Sequence, residues 1–272
     1  MLSAPATFAQ NGGQKEKLKN LKTAYAQGIR AAKQSNASVA YQQLERAQQL
    51  AQETEQSGAA QKIGQYLAQL PKQWGNKALK NNDYEAALRH FNKGIEHSPN
   101  QPYLYYGKGL TLINLERESD AMDAMTQAIS MGEETGDMRT ANLATTRIQE
   151  HYISEASKVL SAQNPSRSQA NEAISYLDEM ENYVDANAKA HFYRATALFN
   201  LGQLEQATNV AEQGLDMHEG SRSSAAKYHY VIGESQMQLG NKSAACSQFN
   251  QANYGDYSAR AQHYLENECG SS

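Results

Sequence analysis

The sequence predicts an all-α protein built from repeated pairs of helices. Strand signals are nearly absent, whereas alanines and large apolar residues recur at helical spacing, separated by short turns of Gly, Asn and Asp. The same residue types return after a fixed interval of about 34 residues. A hydrophobic fraction of 40% and a mean hydropathy of -0.75 make the chain too polar for a membrane protein, and 5 prolines are too few for a disordered linker.

The repeat is clearest after Trp74, where a shift of about 34 residues places small residues on small ones and large residues on large ones. The matched pairs are Gly75 and Gly109, Ala87 and Ala121, Phe91 and Met125, and Gly94 and Ala128. Copies with the same internal offsets surround Gly28, Ala195 and Gly233. Recurrence in nearly the same phase indicates a repeat protein rather than two globular domains.

This spacing resembles the tetratricopeptide repeat, a helix-turn-helix unit that has small residues at positions 8, 20 and 27. The small residues of this sequence recur at similar positions. Small residues let the two helices approach closely, and large residues fill the gaps. Five ungapped units and a degenerate one are predicted over 21–54, 68–101, 102–135, 188–221 and 226–259, and over 148–186. The resemblance implies a right-handed α-α superhelix, a single solenoid over residues 15–269.

Three departures from the regular repeat are expected. Residues 55–67 and 136–147 look helical, so the first helices of the second and fourth units are predicted to be lengthened. Pro71 predicts a kink or break in the first of these. Residues 256–269 are predicted to form a C-terminal capping helix, which a solenoid needs to cover its last apolar face. Residues 10–14 and 270–272 are expected to be disordered.

The first nine residues resemble the end of a secretory signal peptide. Thr7 and Ala9 are small residues placed for cleavage before Gln10, although a basic region and an apolar region are missing from residues 1–9. This leader remnant predicts a periplasmic or secreted protein. The alternative is a flexible N-terminus with a chance alanine pattern in a cytoplasmic protein. No apolar run of about 18 residues is present that could span a bilayer.

The only two cysteines, Cys246 and Cys269, lie symmetrically around Gly255 and Asp256, where a helical hairpin would turn. Facing positions on antiparallel helices are equally far from the turn, so we expect a disulfide that closes the last hairpin. An oxidising compartment would suit both this bridge and the leader remnant. The alternative is two buried free thiols.

No arrangement typical of an enzyme is present. Gly-rich phosphate loops, Gly-x-Ser-x-Gly and Cys/His nucleophile patterns are missing from the sequence. His191 and His229 both occupy position 4 of adjacent units, where packing is favoured over a metal pair. The carboxylate runs around Glu118 and Glu179 are typical of a solvated helix face. We therefore expect a non-enzymatic protein with no metal and no cofactor.

Binding is the function that the resemblance implies. In tetratricopeptide proteins the first helix of each unit, the A helix, lines a concave groove. The residues expected there to contact a partner are Lys72, Asn76, Tyr103, Tyr106, Asn114, Phe192, Asn200 and Tyr230. Aromatic rings with amides and lysines beside them suit a protein or peptide partner. One alternative is that such rings pack between A helices. Others are a glycan or peptidoglycan fragment stacked on the tyrosines, or a cytoplasmic regulatory scaffold.

Lys72 and Asn76 also resemble the start of the carboxylate clamp by which some of these repeats hold a chaperone's C-terminal carboxylate. The clamp requires Asn where this chain has Gly107. It also requires a basic pair where the fourth unit has Glu150 and Ser154. Binding of a chaperone tail is therefore disfavoured.

The net charge of -4 is unevenly distributed along the chain. Residues 1–100 hold 13 basic and 7 acidic residues, a net +6, whereas 101–186 hold 6 and 14, a net -8, and 187–272 hold 6 and 8, a net -2. The basic start of the chain would suit an acidic partner or an anionic surface, or is ordinary helix solvation. Nucleic acid binding is not expected, because few aromatic residues are interleaved with these basic ones.

Overall fold

The computed structural model describes residues 6–162 and 164–270, with side chains from residue 13 onwards. Within these ranges the chain is all-α and contains no β-strand. Twelve helices follow one another in six pairs: α1 Ala6–Lys33 and α2 Ala37–Glu53, α3 Ser57–Lys80 and α4 Tyr84–His97, α5 Pro102–Asn114 and α6 Glu118–Thr135, α7 Met138–Val159 and α8 Arg167–Glu181, α9 Ala188–Asn200 and α10 Leu204–Asp216, and α11 Arg222–Gln238 and α12 Lys242–Ala252.

The helices form two compact units. Unit 1 extends from Met1 to Ala144 and unit 2 from Thr145 to Ser272, so the boundary lies inside α7. In each unit the helices pack mainly against their neighbours in the chain. The all-helical repeat architecture of the prediction is confirmed. The single solenoid over residues 15–269 stays a prediction.

A glycine at repeat position 8 lets the two helices of a pair touch. In four pairs this glycine lies against the large residue at position 24: Gly28 against Leu44, Gly75 against Phe91, Gly109 against Met125, and Gly233 against Phe249. A Cβ atom at any of these glycines would lie 2.7 to 2.8 Å from an atom of its partner. The large partners are completely buried. Each of these four pairs of helices is therefore held at its crossing point by one small and one large residue.

The turn inside each regular pair also repeats. In all five ungapped units the residue at position 15 has a left-handed backbone, with φ between 56° and 82°: Ser35, Asn82, Glu116, Gly202 and Gly240. A helix commonly ends on such a residue, because this conformation directs its backbone N–H back to the helix carbonyls. The shared conformation shows that the five units have the same register.

A short C-terminal segment covers the last pair in unit 2. It consists of a 3₁₀ turn, Gly255–Tyr257, the helix α13 Ser258–Tyr264 and a π-helical turn, Leu265–Cys269. The Tyr264 ring stacks on Phe249 of α12, with 4.3 Å between ring centroids. Cys269 is joined to Cys246 of α12 by a disulfide, with 5.7 Å between the Cα atoms. We call residues 255–269 the cap.

The N-terminal part of the chain differs from its prediction. Residues 10–14, expected to be disordered, belong to α1, which begins at Ala6. The run from Gln14 to Lys19 contains mostly strong helix formers, so the helix extends beyond the repeat. Lys17 forms an ion pair with Glu53 of α2 at 2.8 Å. Residues 1–5 of the candidate leader and 271–272 of the tail lie outside the described residues.

The first helices of the second and fourth units, α3 and α7, are lengthened as predicted. Pro71 does not break α3. This helix has 24 residues and α7 has 22. Pro71 lies inside α3 and is buried. It packs against Gly94 of α4, where an added Cβ would be 2.9 Å from the proline Cβ. The glycine leaves the space that the proline ring fills, and α3 continues through it.

None of the described helices combines the length and the apolar character of a membrane span.

Candidate functional site

Four of the residues predicted to bind a partner lie together on the A helices of unit 1. Tyr103 of α5 donates a hydrogen bond from its hydroxyl to Oδ1 of Asn76 on α3, at 3.2 Å. The Lys72 Nζ lies over the Tyr103 ring, 3.9 Å from its centroid. The Tyr106 ring is 5.8 Å from that of Tyr103. We call these four residues the Lys72–Tyr103 cluster, and it joins α3 to α5.

The members of the cluster differ in their exposure. Lys72 is exposed, Asn76 and Tyr103 are half-buried, and Tyr106 is 8% exposed. Tyr106 therefore supports Tyr103 from the core instead of presenting a surface of its own. Because Oδ1 of Asn76 accepts from Tyr103, its amide N–H groups are directed elsewhere and can donate. The cluster presents an ammonium group, an aromatic ring and an amide donor side by side.

Asp137, just before α7, belongs to the electrostatic surroundings of Lys72. Hydrogen bonds from Thr140, first from its hydroxyl and then from its backbone N–H, hold the pKa of Asp137 below its usual range. The positive charges of Lys72 and Arg139 lower it further. Asp137 is therefore ionised at neutral pH, and its charge lies near the Lys72 ammonium group.

Asn114 does not join the cluster. It is exposed at the end of α5, and its Nδ2 donates to the Leu110 carbonyl at 2.8 Å. This bond within its own helix leaves its Oδ1 and one amide hydrogen for other partners.

A second feature of the same unit is a cleft between the A helices α1 and α3, with a volume of about 210 Å³. Apolar side chains line it together with two lysines, one from each helix: Leu18, Leu21, Lys22, Tyr25, Gln56, Ala59, Lys62 and Ile63. The Lys62 Nζ lies 6.0 Å from the centroid of the Tyr25 ring. We call this the α1–α3 cleft.

The α1–α3 cleft is not evident as a site from the sequence. Lys22 and Tyr25 occupy regular repeat positions, but Gln56 lies just before α3, and Ala59 and Lys62 lie in the part of α3 that precedes its repeat. They have no repeat position from which a face could be assigned. The signal that could have found them is the helical spacing of Ala59, Ile63 and Tyr66.

In unit 2 the predicted contact residues are mostly in the core. Tyr230 of α11 is 9% exposed, and the rings of Phe249, Tyr257 and Tyr264 surround it. Phe192 of α9 is also 9% exposed. The prediction that these two rings are presented to a partner therefore differs from the structure. They are large residues on a helix face that a neighbouring element covers.

Tyr230 covers a half-buried carboxylate, Glu234. The hydroxyl of Tyr230 donates to Glu234 Oε1 at 2.8 Å, and that of Tyr264 in the cap donates to the same oxygen at 3.3 Å. Burial raises the pKa of Glu234, although both hydrogen bonds and Arg260 oppose the rise. Burial likewise raises the pKa of Tyr230. The cap therefore covers the carboxyl group of Glu234, whose ionisation is disfavoured by its burial.

Asn200, at the end of α9, is half-buried, and its Nδ2 donates to the Thr196 carbonyl at 2.7 Å. It lies on the A helix of its pair, and its Oδ1 can accept a hydrogen bond from a partner.

The two histidines at position 4 have separate surroundings. Nδ1 of His229 lies 2.7 Å from Oε1 of Gln248 on α12. Burial lowers the pKa of His191, whose Nδ1 has no hydrogen-bond partner. Among the residues that the structure describes, no group of three or more histidine, cysteine or acidic side chains could hold a metal ion.

Comparison with known proteins finds similar folds at low sequence identity. No curated protein matches the chain in sequence. Solved structures that resemble it include MamA from Desulfovibrio magneticus, 18% identical with a TM-score of 0.35, over 68% of this chain and 92% of that one. YrrB, a tetratricopeptide-repeat protein, is 20% identical with a TM-score of 0.37, over 73% and 92%. A tetratricopeptide-repeat protein from Parabacteroides merdae is 14% identical with a TM-score of 0.34, over 91% and 98%.

The family assignment comes from the repeats themselves. The model of the family described as Tetratricopeptide repeat matches residues 72–134 and 192–261. The first stretch lies in unit 1 and the second in unit 2. Both include the position-8 glycines and the left-handed turns described above. The chain is therefore a tetratricopeptide-repeat protein, with repeats of this family in each of its two compact units.

Proposed function

We propose that the chain is a non-enzymatic scaffold that binds a protein or peptide partner on the A helices of unit 1. The observation that carries this proposal is the Lys72–Tyr103 cluster, in which four residues chosen from repeat positions alone lie together across α3 and α5. The α1–α3 cleft adds an apolar recess on another pair of A helices of the same unit.

The chemistry of the two features indicates what they would bind. The cleft offers apolar walls to a side chain, with Lys22 and Lys62 at its margin. The cluster offers the Asn76 amide to a peptide carbonyl and the Lys72 ammonium group to a carboxylate. A segment that carries both apolar and acidic side chains would match both features.

A glycan is less well matched to the cluster. Stacking of a sugar on Tyr103 needs a free ring face, but the Lys72 Nζ lies over that ring at 3.9 Å. Tyr106 is nearly buried and offers no face either. A peptide that exchanges hydrogen bonds with the amide and the ammonium group does not need the ring face to be free.

A peptide library selected on the intact protein tests the proposal. We expect the selected peptides to bind the Lys72→Ala/Tyr103→Ala variant at least about tenfold more weakly, because two contacts at the centre of the interface are lost. The control is Lys77→Ala/Tyr84→Ala, which removes the same residue types from α3 and α4 outside the cluster. Equal binding to the wild type and to the cluster variant would reject the proposal.

We also propose that the protein acts outside the cytoplasm. The leader-like residues 1–9 and the bond between Cys246 and Cys269 support this proposal. The mass of the protein taken from its own cells and treated with an alkylating agent without reductant tests it. An unlabelled protein is expected, and two labelled thiols would contradict the proposed compartment.

A further inference from the structure

Two lysines on neighbouring A helices of unit 2 have no carboxylate partner. Lys189 lies in the first turn of α9, and Lys227 lies near the start of α11. Both occupy position 2 of their repeats, and α9 packs against α11. Within the described part of the chain, neither ammonium group has a carboxylate oxygen within 4 Å. They form a pair of cations on one face of unit 2.

The surroundings of Lys227 are unusual for an unpaired lysine. It is half-buried, and its Nζ lies 4.8 Å from the centroid of the Phe192 ring and 4.9 Å from that of Tyr228. Burial lowers the pKa of Lys227, and the positive charge of Lys189 lowers it further. The Lys227 ammonium group thus lies against two aromatic rings, near the positive charge of Lys189, and these surroundings disfavour its ionisation. An anion bound between them would remove this disadvantage.

The lack of a carboxylate here does not reflect a shortage of acidic residues. Residues 101–186 carry a net charge of -8 and residues 187–272 a net charge of -2. Arg194, on the same helix as Lys189, is paired with both Asp178 and Glu181 of α8. Asp178 and Glu181 therefore pair with Arg194, and the two lysines stay open to an external anion.

A polar cavity of about 360 Å³ adjoins Lys189. Ser154 and Ser157 of α7 and Ser161 of the following turn line it, together with Ile153, Lys158 and Glu150. The Glu150 carboxylate is paired with Arg147 at 3.2 Å. Ser157 donates a hydrogen bond to the Tyr193 hydroxyl of α9 at 2.9 Å. Lys158 is paired with Glu155 on its own helix. Ser161 donates its hydroxyl hydrogen to the Lys158 carbonyl at 2.7 Å, so Ser157 and Ser161 can only accept hydrogen bonds from a ligand. Lys189 is a cation in the lining of the cavity that has no carboxylate partner.

We propose that the A helices of unit 2 form a binding site for an acidic peptide segment, in which the ammonium groups of Lys189 and Lys227 pair with two carboxylates of the segment. Packed helices lie about 8–10 Å apart, and an extended peptide advances about 3.3 Å per residue. The two lysines would therefore meet acidic side chains that are two or three residues apart. This site extends the proposed peptide-binding function from unit 1 to unit 2 and rests on it.

The probe is a fluorescein-labelled peptide of glycine and serine that carries two aspartates three residues apart, titrated into the full-length protein. We expect saturable binding that weakens with salt, as charge pairing requires. The same peptide with asparagines in place of the aspartates should bind at least about tenfold more weakly. Equal binding of the two peptides would overturn the proposal, and so would no binding of the aspartate peptide.

Two pairs of substitutions locate the site. The Lys189→Gln/Lys227→Gln variant should lose at least about tenfold in affinity, because both cations are removed. The Arg222→Gln/Lys242→Gln variant removes the same charge from exposed positions of unit 2 and should bind like the wild type. Equal losses in both variants would overturn the proposal, because they would show a nonspecific charge effect.

Protection of lysines in the unmodified protein gives a second measurement that does not depend on how a variant folds. The aspartate peptide should slow acetylation of Lys189 and Lys227, followed by mass spectrometry, and leave Lys242 unchanged. Protection by inorganic phosphate but not by the peptide would overturn the peptide assignment in favour of a small anion.

Failure of this proposal is distinguishable from failure of the proposed function. The Lys72→Ala/Tyr103→Ala variant of unit 1 should still bind the aspartate peptide. If that variant loses the peptide while the Lys189→Gln/Lys227→Gln variant keeps it, the acidic segment binds in unit 1 and the unit 2 site is rejected.

Discussion

Glycine at repeat position 8 is the residue on which the close approach of four helix pairs depends. Gly75 of α3 faces Phe91 of α4, and an added Cβ would lie 2.7 Å from the ring. Gly107 of α5 also lies against this ring. Phe91 is completely buried, so its ring has no space into which to move.

Replacement of Gly75 with alanine is therefore expected to lower the free energy of unfolding by about 1–3 kcal/mol, the usual cost of overpacking. The matched control is Gly64→Ala in the same helix, where the nearest atom is the end of the flexible Gln48 side chain at 3.4 Å. That change should raise the stability by about 0.5–1 kcal/mol through helix propensity. Urea unfolding of both variants measures the two values. A Gly75→Ala variant as stable as Gly64→Ala would contradict the close-approach account.

Glu234 gives a prediction about pH. Burial raises its pKa in the folded protein above its value in the unfolded chain. The folded state therefore holds its proton more tightly, and this group makes the protein less stable as the pH rises through the interval between the two pKa values. Glu234→Gln should accordingly raise the free energy of unfolding above that interval and have little effect below about pH 4, where the glutamate is protonated.

Glu45 is the control for this pH prediction. Burial acts against its ionisation, but hydrogen bonds from Lys93 and His97 outweigh burial, so its pKa is lowered. The stabilisation from Glu45 is present above its unfolded pKa and is lost as the pH falls. Glu45→Gln should therefore destabilise the protein at neutral pH. Chemical unfolding at several pH values measures both variants, and the same sign of effect for both at neutral pH would contradict the electrostatic argument.

At the scale of a helix pair, much of the fold could be predicted from the sequence. The positions of small and large residues predicted which helices pair, because close packing needs both at fixed offsets. Gly28 with Leu44 and Gly233 with Phe249 are examples at the two ends of the chain. Features outside the repeat phase could not be predicted in this way.

The candidate site shows the same limit. The repeat positions of Lys72, Asn76 and Tyr103 assign them to one face of the A helices, and in the structure these side chains contact one another. Their contact with a partner stays a prediction. Tyr230 has an equivalent position, but the cap covers it. Periodicity assigns a side chain to a face and does not tell whether a neighbouring element or solvent covers that face.

The cap is the element whose stability depends most on one covalent bond. Its disulfide closes a loop with a sequence separation of 23 residues, which the chain-entropy model values at about 3 kcal/mol. Reduction should therefore speed amide hydrogen exchange within residues 258–269, while α3 to α6 in unit 1 exchange as before. Hydrogen exchange followed by mass spectrometry measures this. Unchanged exchange in the cap after complete reduction would show that the contact of Tyr264 with Phe249 holds it without the bond.

At the scale of the whole molecule, the composition is explained by the repeat. Each pair of helices buries a narrow row of residues, and its other faces are exposed to solvent. This accounts for a hydrophobic fraction of only 40%. The A helices of the two units carry different chemistry. Unit 1 presents the Lys72–Tyr103 cluster and an apolar cleft, and unit 2 presents a serine-lined cavity beside Lys189. Binding is thus assigned to the A helices, and packing to the second helix of each pair.

The most direct test of that assignment is the mapping of amide chemical shifts by nuclear magnetic resonance while a library-selected peptide is added. The shifted amides are expected to concentrate on α3 and α5 around Lys72, Asn76 and Tyr103, if the partner binds on the A helices. The Lys72→Ala/Tyr103→Ala variant should lose these shifts. Shifts confined to the second helices α4 and α6, or shifts that persist in the variant, would contradict the central claim that this protein binds its partner through the A helices.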